Sequence, residues 1–160
     1  MSVRTGILIL AMLVVSAALW AADDPMMGSW KLNVAKSKYN PGPAPSPSAS
    51  PNINKYEPSG NDGMKLTVDG VDAQGKPTHS EYSAQYDGKD YPWKGSTSFD
   101  AVALKRIDAY TSLTISKKGG KVVRLMIRTA SKDGKTHTAD QFGVDAQGKP
   151  YHNIVVYDKQ

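Results

Sequence analysis

The phrase Gly-Val-Asp-Ala-Gln-Gly-Lys-Pro-X-His stands twice in this chain, at residues 70–79 and 143–152. Only the ninth position differs, Thr78 in the first copy and Tyr151 in the second. The centre of each copy is turn chemistry. An Asp opens a type I turn, and a Gly three residues later takes the left-handed conformation, which closes a hairpin with a bulge. A chain that uses one tight turn twice reads as a meander of antiparallel strands. The residues beyond the shared His diverge at once, Ser80-Glu81-Tyr82 against Asn153-Ile154-Val155. The phrase is therefore a favoured turn used twice, and not a duplicated domain or a repeated binding site.

Other turn signals punctuate the rest of the chain. They fall at Gly60-Asn61-Asp62-Gly63, Asp87-Gly88-Lys89, Asp108-Ala109, Lys118-Gly119-Gly120 and Lys132-Asp133-Gly134. Between them lie short runs rich in Val, Ile, Thr and Tyr, several alternating with period two. Met64, Leu66 and Val68 alternate with polar neighbours, and so do Leu113 and Ile115; Val123, Leu125 and Ile127 alternate with Arg124, Met126 and Arg128. No convincing helical stripe is present; the nearest is a single turn around residues 35–39. The expected fold is all-β, an up-and-down antiparallel barrel of nine or ten strands, with a β-sandwich as the alternative.

The first residues set the compartment. Arg4 makes a short basic region, and residues 7–19 form an apolar run of about a dozen residues, the size of a signal-peptide core. A membrane span wants roughly 20 apolar residues. Small residues at Ser16, Ala18 and Ala21 suit cleavage, so residues 1–22 are expected to be a signal peptide and residues 23–160 one exported domain, periplasmic or secreted. The chain has no Cys, which excludes disulfides, thiolate metal sites and a lipidated Cys. With Arg4 set aside, 19 basic residues face 15 acidic ones. The excess is spread thinly. Lys117, Lys118 and Lys121 flank a hairpin tip, where lysines serve solubility. No aromatic-interleaved basic motif suggests a nucleic-acid partner, and the mature chain is expected to be a monomer without stable membrane insertion. Residues 41–51 hold five prolines and nothing to anchor a core, so they read as an extended surface loop.

Catalysis finds little support. His79, His137 and His152 are the only histidines. The last hairpin sets His137 opposite Tyr157 and His152 opposite Phe142, and no metal-binding His spacing occurs. No Gly-X-Ser-X-Gly elbow exists. Neither an enzyme nor a metal or other cofactor is expected.

Gly28-Ser29-Trp30-Lys31-Leu32 resembles the Gly-X-Trp opening strand of the calycins, the lipocalins and fatty-acid-binding proteins. The stretch 28–39 and the ending Asn153-Ile154-Val155-Val156-Tyr157-Asp158-Lys159 look most like the fatty-acid-binding branch. The resemblance implies a barrel that binds a small apolar or amphipathic ligand in its lumen, with Trp30 as a structural plug. Two departures stand out. The proline-rich loop occupies the place of that branch's two portal helices. Val155 stands where its ligand-holding Arg stands, two residues before Tyr157, so the carboxylate clamp does not carry over.

The expected lumen site follows from strand faces. Thr78, Ser80, Tyr82, Ala84 and Tyr86 share one face, and Tyr91 and Trp93 share another on the next strand. Tyr82, Tyr86, Tyr91 and Trp93 are thus candidate ligand contacts through stacking and phenol hydrogen bonds, or else simple core packing. Arg106 shares a face with Val102 and Leu104 and is the candidate inward anion hook. Arg124 and Arg128 lie opposite the Val123-Leu125-Ile127 face. That face is expected inward, which leaves both arginines in solvent. The competing reading is a filled barrel serving as a structural or interaction module of the cell envelope.

Overall fold

Both copies of the repeated phrase fold into the same turn. In a computed structural model that describes residues 24–42, 53–72 and 74–160, Gly75 and Gly148 sit at φ +78° and +77°. Each donates its N–H to the opening Asp carbonyl at 3.0 Å, and the Asp72 and Asp145 carboxylates each accept two further backbone N–H bonds. Residues 1–22, expected to be a signal peptide, and the proline-rich loop beyond Gly42 lie outside the described residues.

The turns link ten antiparallel strands: β1 (Gly28–Lys38), β2 (Ile53–Pro58), β3 (Gly63–Val71), β4 (Pro77–Gln85), β5 (Tyr91–Pro92), β6 (Ala101–Arg106), β7 (Thr111–Lys118), β8 (Lys121–Ala130), β9 (Thr136–Val144) and β10 (Pro150–Lys159). Residues 35–38 extend β1 and form no helical turn. The strands pair in chain order, and β10 returns to pair with β1, so the sheet order is β4-β3-β2-β1-β10-β9-β8-β7-β6-β5. The seam between β4 and β5 has no ladder. It is stitched by the paired backbone bonds of Glu81 with Lys94, both 2.9 Å, and by a bridge from Asp87 to Lys105. The result is a nearly closed up-and-down barrel.

Register decides which side chains face in, because a one-residue slip would turn every one of them over. Trp30 and Leu32 of β1, Met64 and Leu66 of β3, Tyr82 and Ala84 of β4, Val102 and Leu104 of β6, and His137 and Ala139 of β9 are all buried. Strands β7 and β8 break the expected rule. Ser112, Thr114 and Ser116 face in at 0–3% exposure, and Leu113 and Ile115 turn outward. On β8, Arg124, Met126, Arg128 and Ala130 face in, while Leu125 and Ile127 are exposed.

The expectation that Val123, Leu125 and Ile127 line the interior is therefore overturned, and so is the placing of Arg124 and Arg128 in solvent. The physical reason is non-local. Ser112 and Ala139 are the direct cross-strand partners of Arg128, and Ser116 and Gly143 those of Arg124. These small neighbours leave the volume that two long side chains fill with their apolar stems. One strand's own alternation cannot outvote the register of both neighbours.

Candidate functional site in the barrel lumen

The up-and-down order puts the two repeated turns at one end of the barrel, together with the β5–β6 and β7–β8 connections. The opposite end is solid. Residues 24–27 fold across it, Trp30 is fully buried and donates its indole N–H to the Met26 carbonyl at 2.9 Å, and Met64, Leu104 and Tyr56 fill the space above. Trp30 is the plug that the sequence suggests. Arg106 stacks on Tyr86 at 4.1 Å and pairs with Asp24 at 3.1 Å and Asp62 at 3.3 Å, which straps the N-terminal segment over this end.

Toward the other end the inward side chains change character. Val68, Ser80, Arg124, Gln141, Tyr151 and Asn153 all point into the barrel, yet each keeps accessible surface. Each lies within three residues of its strand's end, so together they ring the open space at the mouth of the barrel. We call this space the upper chamber.

Its wall is an aromatic chain. The Arg124 guanidinium lies over Phe99 at 4.1 Å, Phe99 packs on Trp93 at 4.9 Å, and Trp93 meets Tyr82 edge to face at 4.8 Å. Arg124 also donates Nε and Nη2 to the Ser116 hydroxyl, at 3.3 and 3.1 Å. Tyr151 folds over Gly143, where a Cβ would meet its ring at 2.7 Å. The one position at which the repeated phrases differ thus shapes this chamber.

Below the chamber the polar groups are buried and short of partners. Arg128 is fully buried; its guanidinium lies over the Tyr56 ring at 5.1 Å and beside its phenol, its Nη2 reaches the Met64 sulfur at 3.7 Å, and its Nε and Nη1 have no hydrogen-bond partner. The Ser112, Thr114 and Tyr82 hydroxyls and the Trp93 indole N–H are likewise unpartnered. Among the described residues, neither Arg124 nor Arg128 has a carboxylate within ion-pair distance. Burial pushes the Tyr82 phenol well above its ordinary range, so it is a neutral donor. Burial works against the Arg128 charge, and the surrounding Tyr82, Tyr56 and Tyr86 phenols offset it. Burial lowers Arg124 from its ordinary value, but a guanidinium stays protonated in proteins.

His137 is stacked on Tyr157 at 4.5 Å, edge-on to Trp30, with both ring nitrogens unpartnered. Burial, with Arg128 adding repulsion, pushes it down to about 3. It is a neutral core ring. Among the described residues no cluster of three or more His, Asp or Glu side chains is arranged for a metal ion.

The five residues singled out from the sequence do not form one site. Tyr82 and Trp93 border the chamber. Tyr86 donates its hydroxyl to the Met64 sulfur and belongs to the solid end with Arg106, and Tyr91 sits at the seam, bonded to Asp87 at 3.0 Å. Sequence reasoning missed Phe99, which lies in a connection, and it turned Arg124 the wrong way. The small-residue pattern of Ser112, Thr114, Ser116 and Gly143 beside an Arg-X-X-X-Arg strand was the available signal.

No family model matches the chain, and no curated protein matches it. Among solved structures, a redesigned β-barrel is similar at 13% identity, with 91% of this chain and 99% of that one covered and a TM-score of 0.48.

Proposed function

We propose that the protein is an exported, calycin-like barrel that holds a small apolar or amphipathic molecule in its upper chamber, and that it is not an enzyme. One observation carries the reading. Inward residues with accessible surface surround an aromatic wall, directly above buried hydroxyl and N–H groups that have no protein partner. A buried polar group without a partner costs on the order of 1–3 kcal/mol, and a guest that accepts from the Trp93 indole N–H or the Tyr82 hydroxyl at the wall removes part of that cost. Tyr82, Trp93, Phe99 and Arg124 are the residues that would touch it. The solid lower half limits the guest to the chamber and leaves no room for a long chain to pass through the barrel.

Native mass spectrometry tests this on protein purified from its own host and on the same protein mixed with N-phenyl-1-naphthylamine, a neutral apolar dye. A single co-purified small molecule, or a one-to-one dye adduct, is the expected result. A bare protein that takes up no dye overturns the reading.

A second reading has its own observation. Val122, Leu125, Ile127, Phe142 and Val144 are 39–53% exposed on the outer face of β8 and β9. Such a patch on a barrel exterior suits an interaction module of the cell envelope. Replacing Phe142 with Lys separates the two. Loss of dye uptake places binding on the outer face, and unchanged uptake leaves it inside.

A further inference from the structure

We infer that the molecule held in the upper chamber is an organic acid with a flat apolar body, its carboxylate or sulfonate group against Arg124. This deepens the chamber reading and depends on it. Among the described residues no Asp or Glu stands on the inward face of a strand, whereas Arg124 and Arg128 both do. Arg106, the remaining inward arginine, is already neutralised by Asp24 and Asp62. The interior thus carries two positive charges and no negative one among the described residues.

An uncompensated buried charge is strongly unfavourable, and its relief comes from an anion with good geometry. Arg124 offers that geometry. Among the described residues its Nη1 has no bond, its other two nitrogens share the single weak acceptor of Ser116, and its planar fork matches a two-oxygen acid group. Ser116 can swing its hydroxyl proton toward the same anion. Arg128, two pleat repeats deeper beyond Met126, contributes field and no contact. The Phe99–Trp93–Tyr82 chain supplies rings against which a flat body stacks.

The test compares two dyes of similar body. 8-Anilinonaphthalene-1-sulfonate carries an acid group that stays ionised, and N-phenyl-1-naphthylamine carries none. The F142S variant, which removes the outer ring and adds no charge to attract the sulfonate, serves as background. The acidic dye is expected to bind about tenfold tighter or more than the neutral one, the range for a hydrogen bond to a charged group. R124Q should erase that preference by weakening the acidic dye about tenfold or more relative to the neutral one. Because R124Q could disturb folding, competition on the unaltered chamber decides independently. 1-Naphthoate should displace the bound dye at concentrations at least tenfold below 1-naphthamide. Equal binding of both dyes, or equal potency of the two competitors, overturns the inference and leaves the chamber intact. Failure of both dyes to bind overturns the chamber reading itself.

Discussion

Arg128 is fully buried with two of its three nitrogens unpartnered, and its replacement separates folding from function. A methionine of similar length would keep the packing against Met64 and remove the charge. We expect Arg128→Met to raise the unfolding free energy by about 1 kcal/mol or more, since hydrophobic replacement of buried charge is often stabilising. Chemical denaturation measures it, and a loss of stability would show that Arg128 is held by partners absent from this account. His137 gives a second residue-level test. Its ordinary value is 6.5 and its folded value is about 3. Between those values the unfolded chain takes up a proton that the folded chain refuses, so stability is fully present above pH 6.5 and falls as the pH drops. The lowered carboxylates Glu81 and Asp158 begin to act only near and below their ordinary values of 4.5 and 3.8. The window from pH 6.5 to 4.5 therefore carries the His137 contribution, with a limiting slope of about 1.4 kcal/mol per pH unit. His137→Leu should flatten that stretch of the curve, and an unchanged slope would assign it to other groups.

At the scale of elements, the turns were readable in the sequence and the facing of two strands was not. Asp, Gly and Lys at fixed offsets specify a turn within five residues, so both repeated hairpins and the opposition of His137 with Tyr157 and His152 with Phe142 followed directly. The facing of β8 depends on the residues that β7 and β9 set against it, such as Ser116 and Gly143 beside Arg124, and its own apolar alternation pointed the wrong way. Two substitutions expose that facing. Leu104→Ala, in the solid half, should cost about 2–5 kcal/mol by leaving a cavity. Leu125→Lys, on the outer face, should change stability by no more than about 0.5 kcal/mol. Had the sequence pattern ruled, Leu125→Lys would be the severe one. Gly143→Ala probes the chamber wall. Its Cβ would stand 2.6 Å from the Val123 carbonyl oxygen and 2.7 Å from the Tyr151 ring. It should cost about 1–3 kcal/mol and weaken dye binding by displacing Tyr151. Gly148→Ala, which meets nothing within 4 Å, carries only the strain of φ +77°, about 1–2 kcal/mol.

For the whole molecule, the barrel divides into a filled half and a chambered half. Meander topology was legible because consecutive hairpins leave few other arrangements. The division was not, since it arises only when ten inward faces are assembled and their volumes compared level by level. The two tryptophans of the described residues fall on either side of it. Trp30 donates its indole N–H to Met26 in the filled half, and Trp93 holds an unpartnered indole N–H at the chamber wall. Nitrogen-15 NMR of the indole groups during titration with 8-anilinonaphthalene-1-sulfonate therefore tests the central claim most directly. A saturable shift of the Trp93 signal, with that of Trp30 unmoved, is the result expected of a guest in the upper chamber. A Trp93 signal that stays fixed while the dye saturates the protein would contradict it.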